Sequence, residues 1–284
     1  MALVSLLICT ALGTIILATF YTGHHFNSSL YHRWHERPEH RFWHWFVVTS
    51  VSILSLSLIF QYHSSIEIDD LLPIKAAKAQ VAGLVAAYNF NEGSGTSAAD
   101  SSGNGHTSTL ANGPTWTTGK YGDALSFDGA DDYVNVPDAA SLDLTSWTIS
   151  AWIYPTSLPF VTWKTILCKG GDCTNYYLQT YGTELEGGFE SPAGNWRRFR
   201  TTGATLQLNT WYHVAFTFDD AANTGKVYIS GVERFSKTET AVPVTTATPL
   251  RIGTDNWDEN WSGLLDDLRI YNRALSAQEI QDLY

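Results

Sequence analysis

The chain of 284 residues carries a formal net charge of −11 at pH 7, and that charge is unevenly placed. Residues 1–80 hold five basic and five acidic side chains, whereas residues 81–284 hold twelve basic and twenty-three acidic ones. The length suits one large β domain with additional segments, and the acidic part repels phosphate backbones, which argues against nucleic acid as a partner.

Residues 2–21 are apolar or small and uncharged, a run long enough to span a bilayer. A second apolar run, 46–60, reaches spanning length with Trp43, Trp45 and Tyr62 at its ends, aromatic residues suited to the interfaces. The sequence therefore predicts transmembrane helices over 1–21 and 43–62, joined by a His- and Arg-rich loop over 22–42. Arg33, Arg37 and Arg41 place that loop in the cytoplasm, and everything after Gln61 is then extracytoplasmic. The alternative is secretion after signal cleavage: Ala77-Lys78-Ala79 has the small-x-small form of a cleavage site, but it lies far beyond the second run. His32 with His35 and His40 with His44 have helical spacing that suits a transition metal; no cysteine or carboxylate set completes the site, so an interfacial loop is the simpler reading. Residues 63–82 read as a linker.

From residue 83 onward, short apolar and β-branched runs recur between turn signals. Strands are expected at 84–90, 124–127, 133–136, 147–154, 165–169, 176–181, 184–189, 197–201, 211–218, 226–229 and 249–253. Residues 91–112 are polar and glycine-rich. Tyr212, Val214, Phe216 and Phe218 share one face and are expected in the core; His213 lies on the other face as a half-buried sheet residue. The pattern predicts two packed antiparallel sheets with the first and last strands adjacent.

The last twenty-one residues read as one strand followed by a short helix. Leu264, Asp266, Leu268 and Ile270 fall on one face by strict alternation. Ser276 is the N-cap, Glu279 completes a capping box, and Leu275 with Ile280 can form the hydrophobic staple. This ending, with AYNFNEGSG (87–95), DSSGNGH (100–106), ALSFDGADDYVNVPD (124–138), WTISAWIYP (147–155) and WYHVAFTFD (211–219), resembles the laminin-G-like, concanavalin A-like jelly-roll family across 81–284. The resemblance implies an all-β, two-sheet antiparallel jelly-roll sandwich over 83–284 with a short C-terminal helix, here preceded by two hydrophobic helices. It is specific for fold and weak for function. Glu67-Ile68-Asp69-Asp70 superficially resembles the acidic motif of laminarinase-type glucanases, but the second glutamate is missing and the string lies outside the domain.

Two kinds of site are expected. Calcium takes six to eight oxygen ligands, often from glycine-rich loops. Asp100 and Asn104 in one such loop, and Asp128 with Asp131 and Asp132 in an acidic turn, offer them. Relatives of this fold often hold a structural calcium where the end strands meet, with an aspartate from the last strand. That resemblance favours Asp266, helped by Asp100, Asn104 and Asp128. The second site is a sugar platform. Trp147, Trp152 and Trp211 are assigned to the core, whereas Trp163, Trp196, Trp257 and Trp261 are expected in loops among polar residues, where exposed rings suit the apolar face of a pyranose. Tyr177, Arg198, Asn195 and Asn256 can add hydrogen bonds.

Cys168 and Cys173 flank Lys-Gly-Gly-Asp, a turn across which a disulfide closes in an oxidising compartment; two free thiols are the alternative. Asn260-Trp261-Ser262 is a glycosylation sequon. No catalytic residues are assigned: the nearest acidic pattern, Glu184, Glu186 and Glu190, is broken by Gly187-Gly188 and reads as a weak edge hairpin. The expectation is a membrane-anchored, extracytoplasmic recognition module with a structural calcium, binding carbohydrate or a surface-protein ligand. The alternatives are a structural or adhesion domain and, last, a glycan-cleaving enzyme.

Overall fold

The computed structural model describes residues 82–192, 194–203 and 206–284. The expected membrane helices, loop and linker lie outside the described residues. Among the described residues no helix is long and apolar enough to cross a membrane.

The described chain is built almost wholly of strands. It enters through β1 (Leu84–Tyr88), β2 (Ser97–Ala98), β3 (Ser108–Ala111) and β4 (Thr115–Thr118). Next come β5 (Asp123–Asp128), β6 (Tyr133–Val136), β7 (Trp147–Pro155) and β8 (Trp163–Lys169). The middle is β9 (Tyr176–Tyr181), β10 (Glu184–Ser191), β11 (Asn195–Arg200) and β12 (Tyr212–Asp219). The chain ends in β13 (Thr224–Ile229), β14 (Val232–Thr238), β15 (Leu250–Ile252), β16 (Ser262–Tyr271) and α1 (Ala277–Leu283). Two eight-stranded antiparallel sheets result. Sheet A runs β14-β13-β12-β7-β16-β5-β4, with β1 also on β16; sheet B runs β11-β10-β9-β8-β15-β6-β3-β2.

The first and last strands pair, Leu84 to Tyr271 through Tyr88 to Leu268, as expected from the sequence. Val214, Phe216 and Phe218 enter the core and Tyr212 packs against it. Several strands were not legible. β2 and β3 lie inside the glycine-rich stretch 91–112, where they are too short to show alternation. β4 is largely threonine, and β14 is an edge strand with charged and exposed side chains, the composition by which edges avoid further pairing. Trp163 and Trp196 belong to strands, not loops.

Residues 184–191 are a continuous strand between β9 and β11, not a weak edge hairpin. The two glycines permit close approach. A Cβ on Gly187 would lie 2.2 Å from the Phe216 ring, and one on Gly188 would lie 2.3 Å from the Tyr177 hydroxyl. The strand therefore accepts an aromatic ring on each face because it has no side chain at either point. Trp147 sits at the centre of the core, its ring 5.0 Å from Phe218 and 5.4 Å from Tyr176. Trp152 is buried, as assigned, but on the outer face of sheet A, and Trp211 is only half-buried against Tyr154.

α1 begins with the expected capping box. Ser276 Oγ accepts the Glu279 amide at 3.3 Å, and Glu279 Oε2 accepts the Ser276 amide at 2.8 Å. Leu275, Ile280 and Leu283 then pack with Ala215, Tyr228 and Tyr271, so the helix covers part of the outer face of sheet A.

Replacing Gly187 by Ala is expected to cost about 1–3 kcal/mol by overpacking against Phe216. A lowered urea midpoint with an unchanged slope checks this; an unchanged midpoint would show that the Phe216 ring has room to move.

Candidate functional site

The outer face of sheet B carries the densest set of polar and aromatic groups. Alternation along β9 sends Tyr176 and Leu178 into the core and leaves Tyr177 and Gln179 outside. The register aligns Cys168, Tyr177, Gly188 and Arg198 in one row across the sheet. Thr165, Gln179, Glu186 and Arg200 form the next row. Cys168 and Cys173 are disulfide-bonded, and they pack with Tyr177 and Trp196 at the start of these rows.

Glu186 is fully buried and held from several sides. Gln179 Nε2 donates to it at 2.9 Å, the Tyr177 hydroxyl at 3.3 Å and Arg200 Nε at 2.5 Å. Arg198 Nε lies 3.8 Å away. Burial pushes the Tyr177 hydroxyl well above its ordinary range, with the Glu186 charge adding to the effect, so it remains a donor at all ordinary pH. A buried carboxylate is stable only when paired in this way.

The loop from β15 to β16 closes over this face. Gly253 accepts the Trp261 amide at 2.8 Å and the Glu259 carbonyl accepts the Thr165 amide at 2.7 Å, which pins both loop ends to the sheet. Asp255 organises the interior: its Oδ1 accepts the amides of Trp257 at 2.8 Å and Glu259 at 3.2 Å, and its Oδ2 accepts the Thr165 hydroxyl at 3.0 Å. Asn256 ties the loop to the β8–β9 turn through Asp172 at 3.1 Å and to Arg251 at 2.7 Å. Trp257 is thereby held 65% exposed on an ordered loop.

Between loop and sheet lies an open pocket of about 250 Å³. Cys173, Tyr177, Gln179 and Asp255 are its buried lining; Trp163, Trp196 and Trp257 supply aromatic surface; Asp172, Arg198 and Glu259 supply charge. The Arg198 guanidinium stands 5.4 Å from the Trp163 ring. Burial pushes Glu259 up to about 8, helped by the Asp255 charge and by a hydrogen bond to that carboxyl group. Two carboxyl groups in contact cannot both ionise cheaply, so at neutral pH this pair holds one proton.

Five of the eight expected ligand residues, Trp163, Trp196, Trp257, Tyr177 and Arg198, line this one pocket, and Asn195 and Asn256 are not among its lining. Trp261 is a correction. It is fully buried among core residues, because it stands at the loop end immediately before the last sheet strand and turns between the sheets. The sequon is likewise closed: Asn260 is buried, donates to the Ala130 carbonyl and accepts from the Thr254 hydroxyl.

The four expected metal ligands are not brought together. Asp100 accepts the amides of Ala87, Ser102 and His106 at 2.9–3.0 Å. Burial raises this carboxyl, but hydrogen bonds from Ser102, His106 and Ala87 outweigh it and hold it below its usual value. Asn104 donates to the carbonyls of Leu84 and Val85, so both residues serve to fasten β1. Asp128 groups with Asp131 and Asp132, whose oxygens lie within 4.8 Å of one another.

Asp266 stands elsewhere, and its expected face is wrong. β16 bulges between Asp266 and Arg269, with Asp267 in the left-handed region at φ 44°. The extra residue reverses the alternation. Leu265, Leu268 and Ile270 face the core, while Asp266 pairs with Trp152 on the outer face. Its Oδ2 accepts the Tyr121 amide at 2.9 Å; its Oδ1 is buried without a partner. Burial raises Asp266 to about 6 despite those backbone donors. A Cβ on Gly119 would lie 2.5 Å from the Asp123 carbonyl oxygen and 2.7 Å from Asp266 Oδ2, which places two oxygens around one point.

The sequence profile of the concanavalin A-like lectin/glucanases superfamily matches residues 128–281, more than half of the chain. The chain belongs to this superfamily. No curated protein sequence matches it significantly. Among solved structures, domain 4 of AbnA, a GH43 extracellular arabinanase from Geobacillus stearothermophilus, in complex with arabinotriose, is 28% identical with a TM-score of 0.58. That match covers 70% of this chain and 97% of the domain. The binding domain of Paraclostridial Mosquitocidal Protein 1 is 18% identical, with a TM-score of 0.62, over 71% of this chain and 51% of that one. The binding domain of botulinum neurotoxin serotype G is 14% identical, with a TM-score of 0.59, over 71% and 50%. These two share the fold, and the chain spans about half their length.

For this member of the superfamily, sequence reasoning missed Gln179, Asp255 and Glu259 and discounted Glu186. The run Asp255–Glu259 did carry a signal, two acids four residues apart flanking a loop tryptophan. Glu186 was named in an acidic pattern and set aside, since its partners come from two neighbouring strands.

Both raised carboxyl groups set a pH dependence. A carboxyl whose folded value lies above its unfolded one favours the folded state when protonated, and that contribution is lost as pH rises through the folded value. Stability is expected to fall with pH up to about 6 through Asp266 and on to about 8 through Glu259. The E259Q variant should remove the decline between pH 6 and 8, read by urea midpoints; an identical decline in that variant would assign it to other groups.

Proposed function

We propose that residues 83–284 are a non-catalytic carbohydrate-recognition module that binds glycans in the pocket of Trp163, Trp196 and Trp257. The observation that carries this reading is the pocket itself. Three aromatic faces, two of them fixed by strands and one by a pinned loop, stand around buried polar groups. Aromatic faces suit the C–H faces of sugar rings, and fixed polar groups suit their hydroxyls. Support comes also from domain 4 of AbnA, whose structure holds arabinotriose.

Hydrolysis is disfavoured by the spacing of the acids. Retaining glycosidases hold their two carboxyl groups about 5–5.5 Å apart and inverting ones further, whereas Asp255 and Glu259 are joined by a hydrogen bond. The third acid, Glu186, is fully buried and committed to Gln179, Tyr177 and Arg200.

The module is held outside the cell by the apolar runs 2–21 and 46–60, in keeping with the disulfide. A structural calcium binds at Asp266, whose Oδ1 is a buried carboxylate oxygen without a hydrogen-bond partner and suits a hard cation. Such an ion also removes the cost of burying that carboxylate.

Two outcomes are expected. Trp196→Ala and Trp257→Ala each weaken binding on a glycan array about thirtyfold or more; full binding by both would remove the pocket from the reading. Calcium at a hundredfold excess over its Kd stabilises the wild type by about 3 kcal/mol and leaves Asp266→Asn unchanged. A full calcium effect in that variant would place the ion away from Asp266.

A further inference from the structure

The charge in the pocket is arranged by sign. Glu186 is matched by Arg200 at 2.5 Å and approached by Arg198, which also stands over Trp163. Asp172 accepts from Asn256, and Arg251 donates to the same asparagine. That leaves Asp255 and Glu259 as a carboxyl pair facing the aromatic surface. Its other neighbours are the Thr165 hydroxyl, two loop amides and the more distant Glu186 and Arg198 charges.

Resting on the reading of this pocket as a glycan site, we propose that the Asp255–Glu259 pair makes it selective for neutral glycans. Both Asp255 oxygens are taken by two loop amides and the Thr165 hydroxyl, so the pair meets a sugar through Glu259, whose oxygen accepts from sugar hydroxyls while the proton stays between the two acids. A glycan bearing its own carboxylate, a sialic or uronic acid, meets the negative charge that the pair retains, and like charges repel. Specificity here comes from exclusion as much as from attraction.

The proton also makes recognition pH-sensitive. Burial and the Asp255 charge hold Glu259 protonated up to about pH 8. Above that, the two carboxylates lose the hydrogen bond that joins them and repel each other, which loosens the loop that holds Trp257. Affinity for a neutral glycan falls across that range, and Glu259→Gln, uncharged throughout, flattens the fall. This variant leaves the Glu259 amide and carbonyl to hold the loop as before. Asp255→Asn is unsuitable because Asp255 organises the loop.

The test uses the full chain in a non-glycosidic detergent on an array of neutral arabino-, gluco-, galacto- and manno-oligosaccharides, with sialylated and uronate-bearing counterparts, at pH 6.5 and 9. Neutral glycans are expected to bind, anionic ones to bind at least about tenfold more weakly, and neutral binding to drop about tenfold or more at pH 9. E259Q should flatten the pH difference and leave the exclusion of anionic glycans at pH 6.5 as in the wild type, since Asp255 carries the one charge in both, while circular dichroism stays unchanged. Equal or stronger binding of anionic glycans, with Arg198 as their anchor, would overturn the inference and leave the glycan site standing. The same drop at pH 9 in E259Q would also overturn it. Binding to neither class would overturn the glycan reading and the inference with it.

Discussion

One strand sets the geometry of the domain. β16 pairs along its length with β7 on one side, and on the other with β5 at its start and β1 at its end. The handover falls at Asp266–Asp267, where the strand bulges. A bulge adds a residue to one strand and strengthens the local twist. Here it also reverses which side chains face inward. Without it, Leu268 and Ile270 would lie outside and Asp266's neighbours would be core residues. The bulge is therefore what lets one strand edge join two partners of different register while Leu265, Leu268 and Ile270 all stay in the core.

The two outer faces are used differently. On sheet A, α1 and a group of aromatic rings cover the surface: Tyr284 stacks on Trp152 at 5.7 Å and Lys120 lies 4.3 Å over the same ring. On sheet B the equivalent surface is left open and polar. What makes it rigid is a set of closed ties. Lys169, fully buried, donates to Asp138 and to the carbonyls of Thr246 and Thr248 at 2.7–2.8 Å, with Asp143 at 3.0 Å. This fixes the segment before β15 against β8. Glu186 fixes β9, β10 and β11 to one another. Pairing offsets the large cost of burying a charge, and removing one partner leaves that cost unmet by several kcal/mol; each tie therefore resists the loss of any member.

The fold was legible because its signals are local. Alternation marked the long strands, Ser276 and Glu279 marked the helix, and the four residues between two cysteines marked the disulfide turn. The pocket was legible only in part. Trp163, Trp196 and Trp257 stood out as tryptophans among polar residues, but so did Trp261. Nothing nearby in sequence distinguishes a ring aimed outward from one aimed between the sheets, since that depends on the loop ending at the Gly253–Trp261 hydrogen bond. Asp266 failed for a related reason. Alternation assumes an unbroken strand, and a bulge is set by pairing partners more than a hundred residues away. Glu186 was discounted because two glycines follow it, yet those glycines keep the strand within the sheet by yielding space to Phe216 and Tyr177.

The same features bear on why recognition suits this site better than chemistry. A hydrolase needs one acid free to donate and a second placed across the scissile bond, each able to change charge during the reaction. In this pocket every carboxyl group already has partners: Glu186 in its row, Asp255 in the loop and Glu259 through the proton it shares. Shifting charge on any of them would disturb a structural contact. A binding site makes the opposite demand, because groups that cannot move lose little freedom when a ligand arrives. Rigid rings on sheet strands, a loop pinned at both ends and a disulfide against Tyr177 and Trp196 all meet that demand.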